Sequence, residues 1–473
     1  VDQDYVVAVE WFTKSSDFGN AEAQNILGLC YYNATGVEQN YKMAFECFSK
    51  SAEQNNAEAQ YNMANCYYYG NGTKMNYGKA AEWYQKAAEQ GVSEAQYSIG
   101  RCYFLGQGVE NDYISAIEWY LKADAQGNAK AQNDLGVCYL NGYGVEQDYA
   151  VAAEYFSKAS EQDNIESHNY LGDCYYNGQG VEQDYAKAVE LYQKSAEQGV
   201  LASQRSLGYC YGNGKGVEQD YEVSMEWYQK SAEQNDPESQ YHLGQYYYDG
   251  KGVEQDYVVA VEWFTKASDL GNAEAQNALG LCYYNGYGVE QNADKALKLF
   301  TKAAEQGSSD AQNTIGLFYY NALDVENNYV LAVEWFTKSA LQGNKDAQNS
   351  LGDCYFNGLG VEQNYEEAVK YYTMSAEQGF DKAQYSLGNC YFNAHGVEQD
   401  YQKALELYAK AAEQGNIDAQ FDVANCYYNG LGVDQDYEYA VEWLSKAAEQ
   451  GHGDAQNLLG YCYEYGQGVD TDF

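Results

Sequence analysis

Leu135-Gly136-Val137-Cys138-Tyr139-Leu140-Asn141-Gly142-Tyr143-Gly144-Val145-Glu146-Gln147-Asp148-Tyr149 returns thirty-six residues later as Leu171-Gly172-Asp173-Cys174-Tyr175-Tyr176-Asn177-Gly178-Gln179-Gly180-Val181-Glu182-Gln183-Asp184-Tyr185. Counting outward, the closing tyrosine recurs at the same interval from Tyr5 to Tyr437, replaced only by Ala293, and the phase ends on Phe473. No insertion or deletion disturbs the beat. A period of this size marks stacked supersecondary units, none of which buries its apolar side alone. The expectation is an all-α solenoid, a superhelix of 13 antiparallel helix hairpins of 36 residues, continuous as one domain over 1–473. The two ends fall in the same repeat phase, so the array is expected to belong to a longer chain or to be covered by other copies.

Composition narrows the function. The formal charge is -43, from 27 basic and 70 acidic residues, and it is spread along the array rather than gathered in a tail. Such a surface repels phosphate backbones and anionic lipid, which argues against a nucleic-acid partner. It favours basic partners, or simply keeps a tyrosine-rich chain dispersed. No apolar run approaches the roughly 18 residues of a membrane span, so membrane insertion is not expected and the chain is read as soluble. Eleven of the twelve cysteines occupy one repeat position, from Cys30 to Cys462, and Tyr246 and Phe318 replace them there. Equivalent positions of stacked helices lie about 8–10 Å apart, beyond the roughly 7 Å reach of a disulfide. Cysteine is expected to pack as a small apolar residue, and Cys47, at a position usually held by tryptophan, likewise.

Within one unit the residues spell two helices. Asn20 reads as the N-cap of the first, with Glu22 near its positive end. The only proline, Pro237, sits at the start of the equivalent helix. Asn141, Gly142 and Gly144 end the first helix with left-handed geometry. The Asp148 position is Asp or Asn in every copy, from Asp4 through Asn328 to Asp472, and reads as the N-cap of the second helix.

Comparing the copies separates two sets of positions. Gly28 is constant except for Ala64 and Ala424, Ala44 except for Ser224, and Tyr31 is tyrosine in every copy. Small residues there let helices approach, and the Tyr31 ring is expected to fill the inter-repeat core. All seven tryptophans, Trp11 to Trp443, share one position of the second helix and are expected to be core as well. The positions of Glu22, Asn25, Ile26 and Leu29 vary freely and form one helical stripe, read as not dictated by packing. They yield a candidate binding stripe of Tyr61, Tyr97, Arg101, Arg205, Tyr209, Tyr241, Tyr385 and Phe421. In stacked hairpins such a stripe lines the inner groove; the alternative is a solvated face under no constraint.

The unit from Leu135 through Asn141-Gly142-Tyr143-Gly144-Val145 and Asp148 to Tyr155-Phe156-Ser157-Lys158-Ala159 resembles the Sel1-like repeat, a relative of the tetratricopeptide repeat. The resemblance covers the whole chain. It implies antiparallel helix pairs wound into a superhelix and a non-catalytic adaptor role, as in protein quality control, signalling and bacterial interaction with hosts. One branch of that family staples each unit with a cysteine pair. The positions that would carry it, such as Ala52 and Ala59, hold alanine, so the chain is not assigned to that branch.

The four histidines, His168, His242, His395 and His452, occupy different repeat phases. No phosphate loop, nucleophile elbow or His-Glu-x-x-His occurs. Neither catalytic residues, metal ligands nor a cofactor are expected, and the chain is read as no enzyme. Asn33-Ala34-Thr35 and Asn71-Gly72-Thr73 are N-glycosylation triplets, with Asn33 and Asn71 usable only in a secreted chain. The compartment stays open, extracellular included. Two functions follow: a scaffold whose groove binds a protein or peptide, or a structural fibre built by end-to-end stacking with other copies of itself.

Overall fold

Two helices form in each unit because two apolar stripes flank a loop that cannot be helical. The helix Ala21–Asn33 starts on Asn20, whose Oδ1 accepts from the Ala23 amide (2.8 Å), and stops at Ala34, left-handed at φ 60°. The helix Tyr41–Glu53 starts on Asn40, whose Oδ1 accepts from Met43 N (3.0 Å). Both caps recur along the chain, as at Asn128 and Asp148. Val92, Val200 and Phe380 are exceptions and open their helices with no side-chain acceptor. The loop glutamine closes the first helix: Gln147 Nε2 donates to Leu140 O (2.7 Å), meeting a carbonyl that the helix leaves unpaired.

The structure, a computed structural model, describes residues 4–321 and 328–469. Among them are 26 helices and no strand, arranged as solenoid repeats of helix hairpins. Residues 1–3, 322–327 and 470–473, the last including the expected cap Asp472 and Phe473, lie outside the described residues. The chain divides into two units, Val1–Gln234 and Asn235–Phe473.

In each unit the core is a file of rings on the second helices. Phe48, Tyr84, Tyr120, Phe156, Tyr192 and Tyr228 line the first, and Phe264, Phe300, Phe336, Tyr372 and Tyr408 the second, with the aliphatic Leu444 taking the next place; none is more than 3 % exposed. Burying each such ring stabilises by about 2–3 kcal/mol. Each complete ring position faces the small residue of its own hairpin. A Cβ on Gly136 would stand 2.5 Å from the Phe156 ring, which favours glycine there; Ala64 and Ala424, facing Tyr84 and Leu444, are the exceptions.

Two expectations about this core are corrected. The invariant tyrosines are only partly enclosed: Tyr31 is half-buried, and Tyr67 at 9 % exposure is among the more enclosed. The tryptophans precede the buried ring by one residue, so they sit at the rim of the core; Trp227 and Trp443 are buried, Trp11 is 64 % exposed and the rest are half-buried. Each tryptophan is covered instead by the lysine three residues on, its Nζ 3.6–4.3 Å from the ring centroid in Trp11–Lys14, Trp83–Lys86, Trp119–Lys122, Trp227–Lys230, Trp263–Lys266, Trp335–Lys338 and Trp443–Lys446. Cation–π attraction of about 0.5–1 kcal/mol at such exposed sites holds the lysine stem over the indole.

A buried glutamine stitches three successive helices. Gln96 Nε2 donates to Ala88 O of the preceding helix (3.2 Å), and its Oε1 accepts from Gln126 Nε2 at the end of the following one (2.8 Å). In the second unit Gln348 does the same between Ala340 O and Gln378 (3.2 and 2.8 Å). His168 stands at this position in one repeat, buried, with Nδ1 2.7 Å from Ser160 Oγ. Desolvation, with Lys194 adding to it against Asp163, holds its pKa below the usual imidazole value. A lowered folded pKa leaves the contribution of the site intact above the unfolded value near 6.5 and removes it as the pH falls towards the folded one. His168→Gln restores the stitch. It is expected to raise stability by about 1 kcal/mol at pH 7.5, with the gap widening by pH 5; chemical denaturation at the two pH values measures it, and a constant or shrinking gap would refute the assignment.

All twelve cysteines are unpaired and buried. Burial pushes the Cys66 and Cys138 thiols up to about 12 and Cys102 to about 11. Thiolate, the reactive form, is thus suppressed at neutral pH. A thiol-specific disulfide reagent at pH 7.5 is expected to label fewer than one cysteine per native chain within minutes and all twelve in denaturant.

Candidate binding face

The variable stripe runs along the first helix of each hairpin, and packing constrains part of it. The residue at the Leu29 position stands beside the buried ring of its own hairpin. In four of the hairpins whose ring is tyrosine, an acceptor at this position meets the hydroxyl: Tyr84 donates to Asn65 Oδ1 (2.6 Å), and Tyr192, Tyr372 and Tyr408 donate to Asp173, Asp353 and Asn389 (each 2.7 Å). Where the ring is Phe48, Phe156, Phe300 or Phe336, the position holds Leu29, Val137, Leu281 or Leu317. Gln245, opposite Phe264, turns to the Tyr241 hydroxyl instead (3.2 Å). The reading of this position as free of packing demands is therefore corrected, because a buried hydroxyl needs a partner and a buried phenyl does not. Burial raises the Asp173 and Asp353 pKa values despite those hydrogen bonds.

Arg101 departs from the rule. Its hairpin buries Tyr120, yet a guanidinium cannot accept a hydrogen bond. The Tyr120 hydroxyl faces Asp134 from the next repeat instead, a carboxyl whose pKa burial raises while Asn133, Arg101, Tyr120 and Tyr97 oppose the shift. Asn133 Nδ2 donates to Asp134 Oδ1 (3.1 Å).

Around Arg101 the first unit opens a cleft of about 800 Å³ across the helices Ala57–Tyr69, Ser93–Leu105, Ala129–Asn141 and Ile165–Asn177. Tyr61, Tyr97 and Tyr170 form its aromatic wall, and Glu94, Lys130 and Glu166 stand along its edge. Tyr97 lies 5.9 Å from the Tyr120 ring and Tyr61 5.8 Å from Tyr84, so both lean on core rings while half exposed. Burial, reinforced by Asp134, raises the Tyr97 pKa, keeping its hydroxyl a neutral donor.

Of the stripe residues, the cleft brings together Tyr61, Tyr97 and Arg101. Arg205 and Tyr209 stand in the same unit on the helix Leu201–Asn213, outside the cleft lining. Tyr241, Tyr385 and Phe421 belong to the second unit, where their half-buried rings lean on Phe264 (6.0 Å), Tyr408 (5.8 Å) and His452 (4.7 Å). Beside Phe421, burial pushes Asp422 up to about 6, with Asp418 adding and Tyr385 and His452 opposing. Asp134 and Tyr170, both at the Ile26 position, went unselected in the sequence; that position also holds Asn62, His242 and Asp422, so residue type alone did not single them out. Asn33 is exposed, whereas Asn71 Nδ2, the atom a glycan would use, donates to Tyr32 Oη (2.8 Å). Among the described residues no cluster of His, Cys, Asp and Glu is placed to hold a metal, and no helix is long and apolar enough to cross a membrane.

The Sel1 repeat model matches in fourteen consecutive segments from residues 1–20 through 453–473, leaving no residue between them. Among solved structures, a protective antigen present in uropathogenic Escherichia coli strains, with the same type of fold, is 34% identical over 95% of this chain and 97% of its own, at a TM-score of 0.75. A Sel1 repeat protein from Oxalobacter formigenes is 29% identical over 67% of this chain and 95% of its own, at 0.50. No curated protein matches the chain in sequence. The matched period, the two-helix unit and these likenesses place the chain in the Sel1 repeat family, whose helical scaffolds generally mediate protein–protein interaction without catalysis.

Proposed function

We propose that the chain is a non-enzymatic scaffold that takes up a segment of a partner protein along the inner stripe of its first unit. The carrying observation is the cleft itself. Tyr61, Tyr97 and Tyr170 keep their rings half exposed there although the core file beside them is closed, and amphipathic rings held rigidly at a concave surface are characteristic anchors of protein recognition. A cleft of about 800 Å³ also falls within the range of ligand sites. The acidic surface steers basic partners towards it.

Benzoylphenylalanine placed at Tyr97 is expected to cross-link a discrete partner in cells, and the same probe at Glu118, exposed on the opposite helix type, is not. Adding Tyr61→Ala to the Tyr97 probe should remove most of that product. Equal labelling from both positions would overturn the assignment of the face.

A further inference from the structure

All twelve cysteines are buried and unpaired, so no disulfide ties one hairpin to the next. Tyrosine, present 53 times, offers another covalent chemistry at the loop edge, outside the cleft lining. We infer that the stacked pairs Tyr113–Tyr143 and Tyr257–Tyr287 are dityrosine sites, one in each unit, where one-electron oxidation by a peroxidase with hydrogen peroxide staples consecutive hairpins.

Tyr113 opens the helix Tyr113–Asp124, and Tyr143 sits in the loop of the following hairpin, just after the helix Ala129–Asn141. Their ring centroids are 5.2 Å apart with 26° between the planes; Tyr257 and Tyr287, four repeats on, are 4.9 Å apart at 15°. The backbone holds each pair together. Gly144 and Gly288 are left-handed, at φ +70° and +69°, and their missing Cβ lets the loop rest on the backbone of Tyr113 and Tyr257. The loop rings are nevertheless 38 % and 40 % exposed, enough for an oxidant to reach them, and their partners are half-buried. Packing does not demand a ring there: Gln107, Lys215 and Leu359 hold the same loop position in other copies. Lys215 stands over Tyr185, 5.2 Å from its centroid, where Tyr143 would stack.

The reaction balances as two phenols and one hydrogen peroxide giving one biphenol and two waters. The oxidant takes one electron and one proton from each hydroxyl. The two phenoxyl radicals join through the ring carbons ortho to oxygen, and the hydrogen on each of those carbons passes as a proton to its oxygen, restoring both rings. Contact between the rings makes the coupling intramolecular and favours it over joining two chains, which the charge of -43 also keeps apart. In the first unit the third ring is Phe104, 5.1 Å from Tyr113 and 5.7 Å from Tyr143, and it has no hydroxyl to oxidise. In the second unit Tyr248 takes that place but meets Tyr257 edge-on, at 5.1 Å and 70°. A bond from one hairpin's helix to the next hairpin's loop restricts the unfolded chain as any cross-link does.

To test this, the whole chain is treated in dilute solution with a haem peroxidase and hydrogen peroxide, digested, and analysed by mass spectrometry. The main products are expected to be two linked peptides, joining 113 to 143 and 257 to 287, each lighter by two hydrogen atoms than its parts, from a chain that still runs singly on a denaturing gel. Tyr143→Phe should remove the first link and Tyr287→Phe the second, each variant keeping the other link as proof that it is folded. Tyr139→Phe, which alters the stacked pair within one hairpin, Tyr139–Tyr155 at 5.8 Å, should leave both links in place. The oxidised chain should also unfold at a higher denaturant concentration than the double variant oxidised in the same way. Absence of dityrosine, links formed chiefly between chains or at other tyrosines, a double variant that yields as much dityrosine as the native chain, or equal unfolding midpoints would each overturn the proposal.

Discussion

Gly180→Ala is expected to lower the unfolding free energy of the chain by about 3 kcal/mol, while Gly199→Ala costs about 1 kcal/mol. Both glycines are left-handed, at φ +75° and +88°, so alanine pays the same local steric cost at each. Their surroundings differ. An alanine Cβ at 199 meets nothing within 4 Å, but at 180 it runs into the carbonyl of Tyr149 at the start of the second helix of the preceding repeat. Backbone cannot rotate aside as a side chain does, so the loop or the helix end must shift. The same loop glycine abuts the equivalent tyrosine at Gly144–Tyr113 and Gly216–Tyr185. Equilibrium denaturation of the two variants, with amide exchange of residues 149–185 to localise the damage, measures the difference. Equal losses would mean that the loop does not press on its neighbour.

The second large effect is a cycle. Tyr192→Phe removes the hydroxyl that donates to Asp173 (2.7 Å) and leaves a carboxylate enclosed without that donor. The expected loss is about 2–3 kcal/mol at pH 7.5. Because burial already raises the Asp173 pKa, protonation favours the folded chain, so the loss should shrink as the pH falls below the folded value. Adding Asp173→Val recreates the Phe156–Val137 pair of the preceding unit. The double variant is expected within about 1 kcal/mol of the native chain, a coupling that only touching residues show. Additive losses would remove the packing rule proposed for the Leu29 position.

The fold was legible because every level repeats together. The interval of Tyr5, Tyr41 and Tyr77, the caps Asn20 and Asn40, and the loop glycines all point to one hairpin, and the structure follows them. What misled was constancy. Tyr31 and the tryptophans are conspicuous among the copies yet sit at the rim, while the deepest position alternates between phenylalanine and tyrosine. A closed site accepts either ring provided that a second helix supplies or withholds an acceptor, so the signal lies in the pairing of positions nineteen apart, such as Asp173 with Tyr192, and not in either alone. Lys86 over Trp83 was likewise visible as a spacing of three, but a lysine near a helix end suits the dipole equally well. The stripe was legible as a stripe. That Tyr61, Tyr97 and Arg101 share one cleft depends on how successive first helices lean together, which no single repeat encodes.

The buried glutamine has a consequence for descent. Since Gln96 and Gln348 join their neighbours through the same atoms, a unit that carries both glutamines fits beside any other that does; His168 and Leu270 mark two places where one of the pair is replaced. The stretches 5–40 and 257–292 differ at only five positions, and an exchange between such copies would add or remove whole units while keeping the 36-residue register. Array length can therefore change in steps of one hairpin, each step preserving the contacts between neighbouring repeats.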